Sequence, residues 1–217
     1  MRRISRREFV GIAAGIVAGT GLALAGCGGS NSGQTANSSD QAANSSASEA
    51  SSTGSAGNAA TGKSVIVLWS WSGNTLKMAE RVSELSGAEI YRIEAADPYP
   101  EGYNATADRA KQEQDDGVCP AIANPIENWE DYDTVFMGYP IWWYKLPMIV
   151  QGFVNDHDWS GKTVIPFNSH LGSGDGGTYD DLRKMTGATV LDGIAIRGRD
   201  VASSLDRIDE WYASLPL

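Results

Sequence analysis

The 217 residues carry 17 Lys and Arg against 27 Asp and Glu, a formal net charge of -10, with 41% apolar and 20% charged side chains. An acidic balance disfavours a surface that neutralises nucleic-acid phosphates, two cysteines are too few for a disulfide framework, and no Cys/His set has metal-ligand spacing. The one long hydrophobic run lies near the start, which excludes a polytopic membrane protein and leaves room for one globular domain with an accessory segment.

Arg2, Arg3, Arg6 and Arg7 precede a largely apolar stretch over residues 9–25, and Leu24-Ala25-Gly26-Cys27 closes it. This is the three-part layout of an export signal. Ser5-Arg6-Arg7-Glu8-Phe9-Val10 resembles a twin-arginine signal, and Leu24-Ala25-Gly26-Cys27 resembles a lipobox, whose cysteine is lipidated and becomes the new N-terminus. An uncleaved anchor is the alternative, although the many Gly and Ala residues make a weak span. Either route tethers the chain to a membrane, and the lipoprotein reading places it on the outer face of the cytoplasmic membrane with Cys27 in the bilayer. Cleavage before Cys27 removes four Arg and Glu8, leaving 13 basic and 26 acidic side chains, near -13. The twin-arginine route exports folded chains, which points to a cofactor inserted before export.

Residues 28–62 contain no Val, Ile, Leu, Met, Phe, Trp or Tyr. Such a segment buries too little apolar surface to offset its ordering entropy, so it is expected to be a disordered tether spanning roughly 30 Å.

From residue 63 to 217 strand-like runs alternate with helix-period segments. Residues 64–69 read as a buried strand, followed by a helix over 74–86 with Leu76, Ala79, Val82 and Leu85 on one face and Gly87 as its stop. Residues 88–93 read as a second strand, and the long connection 94–133 as holding a polar helix near 103–113. Residues 134–138 form a third buried run, 145–153 a helix, 163–168 a fourth strand and 189–196 a fifth. Leu205, Ile208, Trp211, Tyr212 and Leu215 mark a last helix. Pro166 sits where a central strand needs its N–H, so a bulge or early strand end is expected there. The alternation predicts a parallel sheet covered on both faces.

Between the first strand and first helix runs Ser70-Trp71-Ser72-Gly73-Asn74-Thr75. A hydroxyl-rich turn leading onto a helix N-terminus offers a phosphate free N–H groups, Ser and Thr donors and the positive end of the helix dipole. It is neither a Walker loop nor G-x-G-x-x-G. A plain helix cap is the alternative.

This turn, with Lys77-Met78-Ala79-Glu80 after it, resembles the FMN-phosphate loop and first helix of flavodoxins. Gly138-Tyr139-Pro140-Ile141-Trp142-Trp143 resembles the first flavin-flanking loop of that family, and Asn168-Ser169-His170-Leu171-Gly172-Ser173-Gly174 the second. The resemblance covers residues 63–217 and implies an α/β flavodoxin-like sandwich, a five-stranded parallel sheet of order 2-1-3-4-5, in a short-chain form. It implies FMN as cofactor, with Ser70, Trp71, Ser72, Gly73, Asn74 and Thr75 at its phosphate. Pro140, Ile141, Trp142, Trp143 and Tyr144, together with Asn168, Ser169, His170 and Gly172, would lie at its ring. One of Trp142, Trp143 and Tyr144 is expected to stack on the flavin while at least one other packs against the following helix.

His170 reads as a flavin-edge contact or a hydrogen-bonding strut, His157 as surface, and Cys119 as inert. The implied function is an FMN-binding electron carrier, exported and membrane-tethered, whose acidic face steers a basic redox partner protein at the membrane. The alternative is a reductase of the same fold that passes electrons from NAD(P)H to FMN or a quinone, although no basic grip for an adenosine phosphate is evident. A cofactor-free binding module is a third reading.

Overall fold

The protein is described by a computed structural model over residues 62–217. The export signal, Cys27 and residues 28–61 of the tether lie outside the described residues.

Strand β1 (Lys63–Leu68) sends alternate side chains to opposite faces, Val65 and Val67 into one apolar layer and Ile66 and Leu68 into the other. Both layers are dry, which is why a parallel strand reads as a continuous apolar run. Helix α1 (Asn74–Ser86) lays Met78, Ala79 and Val82 over Ile66 and Leu68, with Leu76 and Leu85 half-buried at its margins. It stops where the Gly87 amide donates to the Ser83 carbonyl at 2.8 Å. Strand β2 (Glu89–Arg92), helix α2 (Tyr103–Asp116) and strand β3 (Tyr132–Pro140) follow. Helix α3 (Met148–Asn155), strand β4 (Thr163–His170), helix α4 (Thr178–Thr186) and the short strands β5 (Thr189–Val190) and β6 (Ile194–Arg197) lead to the final helix α5 (Leu205–Ala213).

All pairings are parallel in the order β2-β1-β3-β4-β5, with β6 also paired to β4. Ile208 of α5 shares the layer of α1, while Ile149, Val150 and Phe153 of α3 and Leu182 of α4 pack on Val65, Val67, Val135 and Met137. Among the described residues no helix is long and apolar enough to cross a membrane.

The structure departs from the sequence expectation at four places. The expected order 2-1-3-4-5 holds, but its fifth position, expected as one strand over 189–196, is split into β5 and β6, both paired with β4. Strand β4 neither bulges nor ends at Pro166 but pairs with β3 in unbroken register, Met137 opposite Pro166. In a parallel ladder a residue's N–H and C=O face the same neighbour, alternating along the strand. The Val164 carbonyl accepts from Leu191 at 2.9 Å, so position 166 faces the same way, toward the interval between Val190 and Ile194 where the outer strand is interrupted. The irregularity sits in the neighbour, and the missing N–H meets no ladder carbonyl. Helix α3 begins at Met148 rather than residue 145, because Pro147 disfavours helical backbone at Leu146. His157 is half-buried, stacked 4.1 Å from the Phe153 ring, rather than on the surface.

The long connection before β3 is held as a clip. Arg109 donates to Glu113 at 2.8 Å and to the carbonyls of Pro98 and Asp97 at 2.9 and 3.0 Å, and stacks 4.1 Å above the Tyr99 ring. Ala95 and Ile122 form an antiparallel bridge across the clip's base. Tyr99 is thereby fixed at the carboxyl edge of the sheet.

Candidate functional site

Past Leu68 the chain leaves the sheet with its start pinned twice. The Ser70 hydroxyl accepts from the Leu76 amide at 3.2 Å, and its carbonyl accepts from the Arg92 guanidinium at 2.9 Å. Gly73 then turns the chain at φ 85°, in the left-handed region, with its carbonyl accepting from the Lys77 amide at 3.1 Å. The backbone amides of Ser72, Gly73, Asn74 and Thr75 donate to no backbone carbonyl among the described residues. They converge with the positive end of α1, worth about half a charge. The Asn74 amide group donates to the Ser72 hydroxyl at 3.3 Å. The buried hydroxyls of Thr75 and Ser169 lie 2.8 Å apart; one donates to the other, so the pair keeps one proton to offer a ligand. Trp71 clasps the turn to the clip, its indole N–H donating to the Pro100 carbonyl at 3.1 Å beside the Tyr103 ring.

The second segment leaves β3 at Pro140. The Ile141 amide donates to the Ser169 carbonyl at 2.8 Å, and Trp142 and Lys145 exchange backbone bonds of 3.1 and 2.9 Å that close a two-residue turn. Its central residues, Trp143 and Tyr144, have φ of 47° and 62°. Aromatic residues in this region cost of order 1–3 kcal/mol each. The turn is held by Trp142, whose ring meets Tyr99 at 5.3 Å and Trp69 at 6.0 Å, by the Trp143 indole donating to the Ala107 carbonyl at 2.8 Å, and by the Lys145–Asp181 pair at 3.3 Å. Trp142 thus packs on the clip through Tyr99. Trp143 is 45% exposed and Tyr144 72%. The Trp69 indole nitrogen is buried without a partner among the described residues.

The third segment follows β4. Asn168 is fully buried, accepting from the Tyr179 hydroxyl at 2.7 Å and donating to the Gly174 carbonyl at 3.1 Å. The Tyr139 and Thr178 hydroxyls pair at 2.9 Å. Burial pushes both phenols far above their ordinary range, so Tyr139 and Tyr179 stay protonated as struts. His170 Nδ1 accepts from the Gly172 and Gly174 amides at 2.9 and 3.1 Å. Burial, and then the nearby Arg197 charge, hold its pKa below the usual histidine value, so the ring is neutral with its proton on Nε2. Leu171 between them is 75% exposed.

The three segments singled out in the sequence therefore meet at one edge of the sheet, tied through Thr75, Ile141 and Ser169. Sequence reading missed Trp69, Arg92, Tyr99 and Arg197. Trp69 was legible only as core, and Tyr99 lies in a connection with no periodicity. Arg197 was findable as a cation at the carboxyl end of a strand, where parallel sheets bind ligands. Unpaired amides and hydroxyls at one end and a rim of aromatic rings with an orphaned indole donor nearby fit a ligand with a phosphate at one end and a flat ring at the other, as in FMN. Cys119, half-buried and with its thiol pushed up by burial, has no activating neighbour.

A family model described as Flavodoxin matches residues 63–215. Among solved structures, a protein of Bacteroides eggerthii described as a flavoprotein is 32% identical, covering 69% of this chain and 99% of its own, with a TM-score of 0.58. One from Bacteroides uniformis, also described as a flavoprotein, is 28% identical over 70% of this chain and 99% of its own, with a TM-score of 0.63. A flavoprotein from Lactobacillus acidophilus in complex with FMN is similar in fold at 22% identity, covering 69% and 99%, with a TM-score of 0.53. No curated protein matches the chain.

Proposed function

The chain belongs to the flavodoxin family, and on that premise we propose that residues 63–217 hold FMN and carry electrons to or from a partner at the membrane, with Cys27 as lipid anchor on the outer face. The observation that carries this reading is the set of unpaired amides from Ser72 to Thr75 beside the Ser72, Thr75 and Ser169 hydroxyls. Bound FMN would supply reversible one- and two-electron chemistry. Ser72, Gly73, Asn74 and Thr75 bind its phosphate, with Ser70 and Arg92 fixing their geometry. Trp143 and Tyr144 cover the ring, Trp142 and Tyr99 hold their turn in place, and Asn168 and His170 shape the loop on the other side. Asp and Glu outnumber the cations, which favours a basic partner surface and a salt-dependent on-rate.

The test is to purify the full chain, denature it and identify the released flavin. One FMN per chain is expected; a colourless chain that also binds no added FMN overturns the reading. Turnover of NAD(P)H by the holoprotein would replace the carrier with the reductase reading. Tethering is tested by lipid labelling of the full chain, expected to vanish with Cys27→Ala, and by export, expected to stop with Arg6→Lys and Arg7→Lys together.

A further inference from the structure

We infer that Arg197 sets the reduction potential of the flavin, its charge holding the reduced ring more tightly than the oxidised one; the inference rests on the FMN reading above. Reduction puts two electrons from the redox partner and one proton from solvent into the ring, which leaves it with one negative charge. A cation close to the ring therefore favours the reduced state, and charge near the ring nitrogens is one of the levers by which a protein tunes a flavin.

Arg197 stands beside the loop after β4 and not beside the 70–75 turn. On β6, Ile194 and Ile196 enter the apolar layer of α1, and Gly198 lies against Asn74, where a Cβ would come within 2.8 Å of the side-chain nitrogen. Alternation sends Arg197 to the opposite face. On β4, Ile165 and Phe167 likewise enter the α1 layer and Ser169 meets Thr75, so His170 takes the other face. Arg197 and His170 are register partners at the ends of adjacent parallel strands, side by side on that face. A guanidinium nitrogen of Arg197 lies 3.1 Å from where a Cβ on Gly172 would sit. His170 and Gly172 belong to the segment that the FMN reading puts at the ring, whereas Thr75 and the phosphate belong to the far face.

Both groups are also unspent. Arg197, half-buried, makes no hydrogen bond or ion pair among the described residues. His170 uses Nδ1 for the loop amides, which leaves its Nε2–H without an acceptor among the described residues. The nearby acids are engaged elsewhere, Asp200 with Arg199 at 3.5 Å and Asp175 with the Gly177 amide at 3.2 Å. Other cations at this end of the sheet are committed, Lys145 to Asp181 and Arg92 to the Ser70 carbonyl. After burial, the Arg197 charge is the cause that holds the His170 pKa down, so its field reaches into the loop. Although the domain is acidic as a whole, Coulomb energy falls with distance and exposed acids are screened, so the nearest uncommitted charge dominates at the ring.

The test measures, on the full chain at mildly alkaline pH, the two-electron potential of bound FMN by dye-linked redox titration and the dissociation constant of oxidised FMN by fluorescence. The wild type is compared with Arg197→Gln, Arg197→Lys and the control Arg207→Gln. Arg197→Gln should weaken reduced FMN about tenfold more than oxidised FMN, which lowers the potential by about 30 mV. Arg197→Lys keeps the charge and should hold most of the wild-type potential, and Arg207→Gln should match wild type. An unchanged potential in Arg197→Gln, losses as large for oxidised as for reduced FMN, or a potential in Arg197→Lys as low as in Arg197→Gln overturns the inference while leaving FMN binding by wild type intact. A wild type that binds no FMN overturns the underlying reading.

Discussion

The hydroxyls of Thr75 and Ser169 meet at 2.8 Å, both buried, and join the first turn of α1 to the end of β4. β3 lies between β1 and β4, so this contact reaches over it and sets how far the 70–75 turn stands from the loop after β4. Removing one hydroxyl leaves the other buried without its partner. Thr75→Val and Ser169→Ala should each cost about 1–3 kcal/mol in urea unfolding, and the double variant less than their sum by about 1 kcal/mol. Additive losses would mean that the two hydroxyls do not depend on each other.

Gly73 takes its φ of 85° in open space, with nothing within 4 Å of a would-be Cβ. The cost of a side chain there is therefore conformational and not steric. Gly73→Ala should lower stability by about 1 kcal/mol and weaken FMN further still, since the amides that follow must realign. Thermal unfolding with and without FMN separates the two effects: the ligand-induced rise in Tm shrinks along with the baseline Tm.

Tyr144 holds a left-handed backbone at 72% exposure, so it contributes strain with little burial. Tyr144→Gly relieves that strain and should stabilise the apoprotein by about 1 kcal/mol, while weakening flavin binding through loss of the ring. Opposite signs in the two measurements mark the turn as held for the ligand. A Tyr144→Gly protein that is less stable would show that the aromatic side chain supports the fold.

Local features were legible wherever the deciding contacts lie within one element. Residues 64–68 read as a buried strand because both faces are apolar, and α1 ends at Gly87 because only the local backbone is involved. The 70–75 turn and both following loops were singled out for the same reason: each is a contiguous segment at a strand end. Pro166 was misjudged because the answer lay in another strand, broken between Val190 and Ile194. The packing of Trp142 was not legible, because its partners Trp69 and Tyr99 come from elsewhere in the chain and Tyr99 is set by Arg109, ten residues further on. Nothing in the periodicity of residues 94–102 announces that clip.

His170 carries a dependence on pH whose sign follows from its contacts. Nδ1 accepts from the Gly172 and Gly174 amides, which only the neutral ring can do, and Arg197 opposes protonation while Asp175 and Asp200 favour it. With the folded pKa depressed, the unfolded chain binds the proton first as pH falls. The contribution is therefore complete above the ordinary histidine value of about 6.5 and is lost as pH drops from there through the folded value. Amide exchange at Gly172 and Gly174, followed by NMR, should be slow at about pH 7.5 and faster relative to the core at about pH 5, once corrected for intrinsic exchange. His170→Gln should flatten that dependence, and FMN affinity should weaken over the same interval in the wild type alone. Protection of the two glycines that stays constant across the interval would show that the loop is held by Asn168 and the Tyr139–Thr178 pair without help from the imidazole.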